Sequence, residues 1–296
     1  LERPPATVSV DVDPVDLHLV GYGHRSEAAD DRVYALAIPR LLERFDRARL
    51  RATFFFVARD AAAQSRALAA VRSAGHEIAS HSLTHPMPFQ KLPAAELARE
   101  VAESKRRLET AVGSAVFGFR APNWDVGPRV LAALADAGYR YDASAFATPL
   151  QAAARVLLAV KGRDRRALTA MSLFPFTLAR RPFRWRAGAR ELVEFPVSTT
   201  RWLRVPVYHT ARYFGGDAAF RRRLDAIARR GEPLSYPLHA VDALGLAEDS
   251  VDRRLGAHPG MDRALASKLA LLDSALAAIT ERFEVKPFAE LLARVP

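Results

Sequence analysis

Short apolar stretches that end in polar residues, each followed by an amphipathic stretch, recur along the chain. This alternation restricts the fold more than any single motif does. "TVSVDVD" alternates β-branched and small residues and ends in acids, the pattern of a buried strand delivering carboxylates at its C-terminal end. "DDRVYALAIPRLLERFDRARL" has helical spacing interrupted by Pro39, and "RATFFFV" then reads as a short, strongly apolar strand. "SRALAAVRSAGHEIASHS" predicts a helix, a stop at Gly75 and a strand "EIAS". A helix opened by Pro93 and closed by Gly113 follows, then "AVFGFRAP", a strand ending in Arg120. "GPRVLAALADAGYRYDAS" gives another helix and a strand ending in Asp142. Further strands are expected at "LVEFPVS" and "PLSYPLHA", and a long helix at "MDRALASKLALLDSALAAITERF". Repeated strand-then-helix units imply an α/β fold with a parallel sheet or barrel, in which chemistry gathers where strands end. Asp11, Asp13, His81, His85, Arg120, Asp142 and His239 all fall at such predicted ends.

With 296 residues, half of them hydrophobic, the chain is long enough for one large core and too short for three ordinary domains. One α/β domain with insertions, or two small domains, are the options. The absence of cysteine excludes disulfides and thiolate metal sites, so a metal would need His, Asp and Glu; it also fits a reducing compartment. No apolar run approaches the roughly 20 residues that span a bilayer. The first residues, "LERPPATVSVDVD", lack a secretory pattern, and they leave open whether the native chain starts upstream.

His81 and His85, four apart in "HSLTH", place two imidazoles on one side of a turn, and one added carboxylate would make a His₂Asp site with positions left open for catalysis. The competing reading is a Ser/Thr-rich loop that caps the next helix. Asp11 and Asp13 point to one face of a strand, and two like charges together require compensation, such as a metal on one and an arginine on the other. Arg120 is the natural counter-ion, with a surface ion pair as its alternative. His239 is either a satisfied structural histidine or, beside a metal centre, a general acid whose ordinary pKa of about 6.5 suits proton donation near neutrality.

Taken in order, "SVDVD", "HSLTH", "RAPNW", "YDAS" and "PLH" resemble the five motifs of the polysaccharide deacetylase family, the NodB-homology domain of carbohydrate esterase family 4. By element order the resemblance runs over roughly residues 6–290. It implies a distorted (β/α)7-type barrel in a single catalytic domain over residues 1–296, removing N-acetyl or sometimes formyl groups from amino sugars with a divalent metal. It makes Asp13, His81 and His85 the metal ligands and Asp11 the general base for the attacking water. Arg120 would hold Asp11, His239 would protonate the leaving amine, and Asp142 would tune that histidine. The backbone N–H at Asn123 would stabilise the oxyanion, with Trp124 on the substrate side. Zinc is the expected metal, with cobalt, nickel or manganese as alternatives. Val12 separates two aspartates that are usually adjacent, as in a branch that includes intracellular peptidoglycan-type and lipid-linked-sugar deacetylases. The aromatic after the arginine-proline motif is displaced, and the fourth motif lacks its usual tryptophan.

The chain carries a formal charge of +11, and residues 151–190 hold ten basic side chains against the single acid Asp164. The rest is close to neutral, which argues against a surface built for nucleic acid. Between "YDAS" and "LVEFPVS", residues 150–190 form a basic, partly apolar insert in which arginines, Arg180, Arg181 and Arg184 among them, alternate with apolar clusters that include Trp185. Such a segment suits an anionic membrane interface, a substrate phosphate or nucleic acid; a helical hairpin packed on the barrel is the plain alternative. The leading expectation is therefore a deacetylase or deformylase of a lipid-linked amino sugar or glycolipid, of the kind that modifies lipopolysaccharide. It would be cytoplasmic and peripheral on the inner membrane face. Soluble glycan or peptidoglycan is the alternative substrate, and an inactive carbohydrate- or lipid-binding barrel the alternative of another class.

Overall fold

The computed structural model describes residues 2–26, 30–148 and 179–296. Among them nine strands follow in chain order: β1 (Pro5–Val12), β2 (Thr53–Phe56), β3 (Glu77–Ser80), β4 (Gly118–Phe119), β5 (Tyr141–Asp142), β6 (Phe183–Ala187), β7 (Arg190–Glu194), β8 (Leu234–His239) and β9 (Glu284–Val285). The longer helices are α1 (Val15–Gly21), α2 (Ile38–Arg47), α3 (Ser65–Ser73), α4 (Ala94–Val112), α5 (Pro128–Asp136), α6 (Asp217–Arg229) and α7 (Leu265–Arg282). Parallel strands joined by helices bear out the α/β expectation. Among the described residues no helix is long and apolar enough to cross a membrane. The chain divides into two compact units, one of Leu1–Phe54, Ala69–Glu77 and Val207–Pro287, the other of Phe55–Leu68, Ile78–Pro206 and Phe288–Pro296.

In the first unit β1 pairs in parallel with β8, from Ala6 opposite Leu234 to Asp11 opposite His239, and its start pairs with β9. Ala6 to Val12 are all buried, so this strand is covered on both faces and carries small and β-branched residues throughout. Pro39 does not interrupt the first helical segment as expected. A π-helical turn at Val33–Ala37 leads into α2, and Pro39 falls in the first turn of that helix, where a missing N–H costs little. Phe220, Leu224 and Ile227 of α6 and Leu272, Leu276 and Ile279 of α7 supply buried faces.

His76, just before β3, packs edge-on to Phe45 and tilted to Phe54, at ring-centroid distances of 5.6 Å and 5.3 Å, and its Nδ1 accepts the Ala52 N–H at 3.0 Å. Burial pushes this imidazole down to about 4. Between that value and the ordinary 6.5 the unfolded chain binds the extra proton, so stability falls as the pH drops through this window. The expected loss at His76 is up to about 3 kcal/mol. Urea midpoints at pH values near neutrality and near the bottom of the window, for wild type and His76→Gln, test this: the variant should show the shallower pH dependence, and equal slopes would refute it.

In the second unit β3, β4, β5 and β7 are parallel neighbours, with β6 antiparallel on β7. Gly118 is required by a close approach: a Cβ there would lie 1.9 Å from Cζ of Tyr141. The Tyr141 ring packs in turn against Phe195 and Phe288, part of a core that also takes in Phe55 and the C-terminal Leu291 and Val295. α4 ends as expected at Gly113, whose φ of 64° places it in the left-handed region that closes helices.

The end of the basic stretch is a β-hairpin and not the helical hairpin of the plain alternative. "FRWRAGAREL" alternates with period two around Gly188, and β6 and β7 pair from Phe183 opposite Glu194 to Ala187 opposite Arg190. Its arginines are engaged locally. Arg184 and Arg186 both pair with Glu191, at 2.6 Å and 2.8 Å, and Arg190 pairs with Asp136 at 2.6 Å. Arg184 also donates to the Val295 carbonyl. Arg180 and Arg181 lie just before β6. The remaining part of the expected insert, residues 149–178, lies outside the described residues.

Candidate functional site

In the second unit the "HSLTH" loop starts as β3 ends, and its conformation is set from α4. Glu100, fully buried, accepts the Leu83 and Thr84 N–H groups at 3.0 Å and 2.9 Å and the Thr84 hydroxyl at 2.7 Å. Ser82 and His85 adopt positive φ, 68° and 59°, and the His85 N–H donates to the Ser82 hydroxyl. The expected juxtaposition of the two imidazoles holds, with ring centroids 5.0 Å apart. His81 Nδ1 lies 2.7 Å from the Arg120 carbonyl. A carbonyl only accepts, so Nδ1 carries the proton and Nε2 presents its lone pair, which is the tautomer a metal ligand needs.

Arg120 follows β4 and is completely buried; its Nε donates to the Ala143 carbonyl at 2.9 Å and its guanidinium lies 4.1 Å from the Phe55 ring centroid. The loop after it places Asn123 and Trp124 at φ 54° and 53°, with Asn123 exposed and Trp124 packed 5.1 Å from Phe146. Four of the non-glycine residues at positive φ thus sit in the two loops that follow β3 and β4, where strained backbone is a mark of function. Asp142 accepts the Ser144 hydroxyl at 2.6 Å, and Ser144 Oγ accepts the Ala121 N–H at 2.7 Å. Beside it, in strand register, is Glu194, a residue that sequence reasoning missed. Burial and the neighbouring Asp142 carboxylate push Glu194 well above the usual carboxylate range, and its Oε1 accepts the Ala145 N–H at 2.9 Å. The expected strand "LVEFPVS" put Glu194 in mid-strand, whereas β7 ends on it, at the same kind of position as the other polar residues.

In the first unit Asp11 and Asp13 are both buried where β1 ends, and His239 ends β8 with Nε2 3.9 Å from Asp11 Oδ2. The His239 N–H donates to Asp242, whose other oxygen accepts the Tyr213 hydroxyl at 2.8 Å. Two further histidines, unforeseen, stand beside them. His18 on α1 has Nε2 4.0 Å from Asp13 Oδ2, and His258 packs edge-on to His18 with centroids 5.0 Å apart. His18 could have been found from its position just past the "DVDP" turn; "GAHPG" gives no signal for His258. Within the second unit His81 and His85 supply two imidazoles to a possible metal donor set.

Residues 30–141 match the family model described as polysaccharide deacetylase, a stretch that includes His81, His85 and Arg120 and leaves out Asp11, Asp13 and His239. The match supports a polysaccharide deacetylase domain. The peptidoglycan deacetylase of Helicobacter pylori is 29 % identical over 140 residues, which is 46 % of this chain and 47 % of that protein, so the aligned stretch spans about half of the relative. Among solved structures, a Mycobacterium smegmatis protein assigned to the polysaccharide deacetylases covers 100 % of this chain and 91 % of its own, with a TM-score of 0.66 at 18 % identity. A Pseudomonas aeruginosa protein with the same assignment covers 98 % and 89 %, with a TM-score of 0.61 at 16 % identity. Puue allantoinase covers 98 % and 89 %, with a TM-score of 0.63 at 14 % identity. At these identities the likeness is one of fold, and it bears out the (β/α)7-type arrangement expected for a polysaccharide deacetylase domain. That an allantoinase shares it means the fold alone does not name the substrate.

Proposed function

We propose that the protein is a metal-dependent hydrolase that removes an acetyl or formyl group from the nitrogen of an amino sugar in a glycan. The observation that carries this reading is the fixed tautomer of His81, which turns Nε2 into a metal-binding atom, beside the His85 ring with centroids 5.0 Å apart; Asp13 is the carboxylate that would complete the ligand set. Two imidazoles and one carboxylate fit a divalent ion of the zinc type and leave positions for water and substrate. When bound, such an ion supplies the Lewis acidity that activates water and polarises the acyl carbonyl. Asp11, buried at the end of β1, takes the proton of the attacking water. His239, its partner across the strands, delivers a proton to the leaving nitrogen, so base and acid stand on neighbouring strand ends. The loop after Arg120 presents the Asn123 backbone N–H to the oxyanion, and Trp124 lines the substrate side. Release of acetate or formate from N-acylated glycan oligomers tests the reading. It should stop with a chelator and return with added zinc, cobalt, nickel or manganese. Release that survives chelation, or no release with any of these metals, contradicts it.

A second reading, in which the amino sugar is lipid-linked and met at an anionic membrane surface, is favoured by one exposed feature. Trp202 and Leu203 are 83 % and 76 % exposed in a tight turn between Arg201 and Arg204, closed by a bridge from Thr199 to Pro206. Large apolar side chains flanked by arginines suit an interface of head groups and acyl chains. Sedimentation with anionic vesicles should fall sharply in a Trp202→Ser/Leu203→Ser double variant. Equal sedimentation of both proteins, or none by wild type at low salt, removes this reading.

A further inference from the structure

The three histidines of the first unit form a cluster that the proposed reaction uses only through His239. Their ring centroids are 5.0 Å apart for His18 and His258, 5.8 Å for His18 and His239, and 6.0 Å for His239 and His258, all edge-to-face. His258 follows a 3-10 turn, Arg253–Ala257, that the Asp252 carboxylate fixes by accepting the Arg254 N–H. It is only 8 % exposed, and its Nδ1 lies 3.2 Å from the Tyr22 hydroxyl. Burial, with the neighbouring His239 adding to it, holds the imidazole down to about 4, and burial pushes the Tyr22 phenol up to about 12. The Tyr22 hydroxyl and a ring Nδ1–H can each donate; where the hydroxyl donates, Nδ1 accepts and the ring proton sits on Nε2. That Nε2 is buried and has no hydrogen-bond partner among the described residues. Buried donors are nearly always satisfied, and an orphan costs about 1–3 kcal/mol, so this N–H is built for an acceptor that arrives with a ligand. A neutral donor packed against two further imidazoles suits a neutral oxygen better than an anion, whose charge it does not balance.

We propose that His258 Nε2–H binds a hydroxyl or carbonyl oxygen of the amino-sugar substrate beside His239, with the His18 ring as the wall that holds its plane. This rests on the amino-sugar reading above. The role is one of substrate binding and involves no proton transfer, so it shows in KM and in equilibrium affinity.

The test uses the metal-loaded full chain with N,N′-diacetylchitobiose as the probe, followed by steady-state kinetics and by calorimetric binding. His258→Phe keeps a ring against His18 and loses the donor; His258→Gln keeps an N–H. The phenylalanine variant should raise KM and the dissociation constant about tenfold with little change in kcat, and glutamine should recover most of that loss. Unchanged KM and affinity in His258→Phe, or a fall in kcat alone, overturns the proposal and leaves the deacylase reading standing. Wild-type protein that neither binds nor hydrolyses the probe overturns both.

Discussion

Asp13→Ala and His81→Ala should each purify without a stoichiometric divalent metal and lose at least about a thousandfold in kcat/KM, because the Lewis-acid contribution of such an ion amounts to several kcal/mol. Asp11→Ala should lose between about a hundredfold and ten-thousandfold in rate while keeping its metal, since it acts on a proton and leaves the ligands intact. The contrast makes this pair of measurements informative. Metal content by elemental analysis separates a ligand from a base, which activity alone does not. His81→Ala protein that retains a full equivalent of metal would remove His81 from the ligand set. The fold gives a reason to expect little rescue from neighbours: Glu100 and the Arg120 carbonyl hold the His81 loop and the His81 ring in one arrangement.

Arg120→Ala should be the most destabilising single change in the described core, at about 3–5 kcal/mol in urea unfolding. The side chain is fully buried, its Nε is bound to the Ala143 carbonyl, and its positive charge offsets Asp142. Removing it leaves an uncompensated buried carboxylate beside Glu194. Arg120→Lys should restore part of the stability through charge and little of it through geometry, because a lysine does not reproduce a planar fork stacked on Phe55. A loss below about 1 kcal/mol in Arg120→Ala would show that the arginine is peripheral to the network. Activity should fall in both variants, since the Arg120 carbonyl and the loop that follows it shape the site.

Much of this architecture is legible in the sequence because parallel strands buried on both faces leave little choice of pattern. "TVSVDVD", "TFFF" and "EIAS" are short runs of β-branched, small or apolar residues, and the charged residue or histidine that ends or follows each marks the strand end. That rule places Asp11, His81, Arg120, Asp142 and His239 where the strands end. It fails where a strand boundary is misjudged, as at Glu194, and where a functional side chain comes from an element without a strong period. His18 sits on a seven-residue helix and His258 in a loop between short turns, so neither carries a periodic signal. The end of the basic stretch is hard to read for a different reason. An excess of arginines over residues 151–190 says nothing of their partners, and Glu191 and Asp136, which pair with Arg184, Arg186 and Arg190, lie outside that stretch. The exposed Trp202 and Leu203 escaped notice because two apolar residues in a row are ordinary until the fold leaves them in solvent.

The central claim is hydrolysis of an acyl amide by water, with Asp11 as the proposed base and Asp13, His81 and His85 as the proposed metal ligands. Mass spectrometry of the products formed from an N-acylated amino sugar in heavy-oxygen water tests it most directly. The account predicts a free amine on the sugar, one heavy oxygen in the released carboxylate and none in the sugar. An unchanged acyl amine with the metal-loaded protein, or heavy oxygen appearing in the sugar, would contradict it.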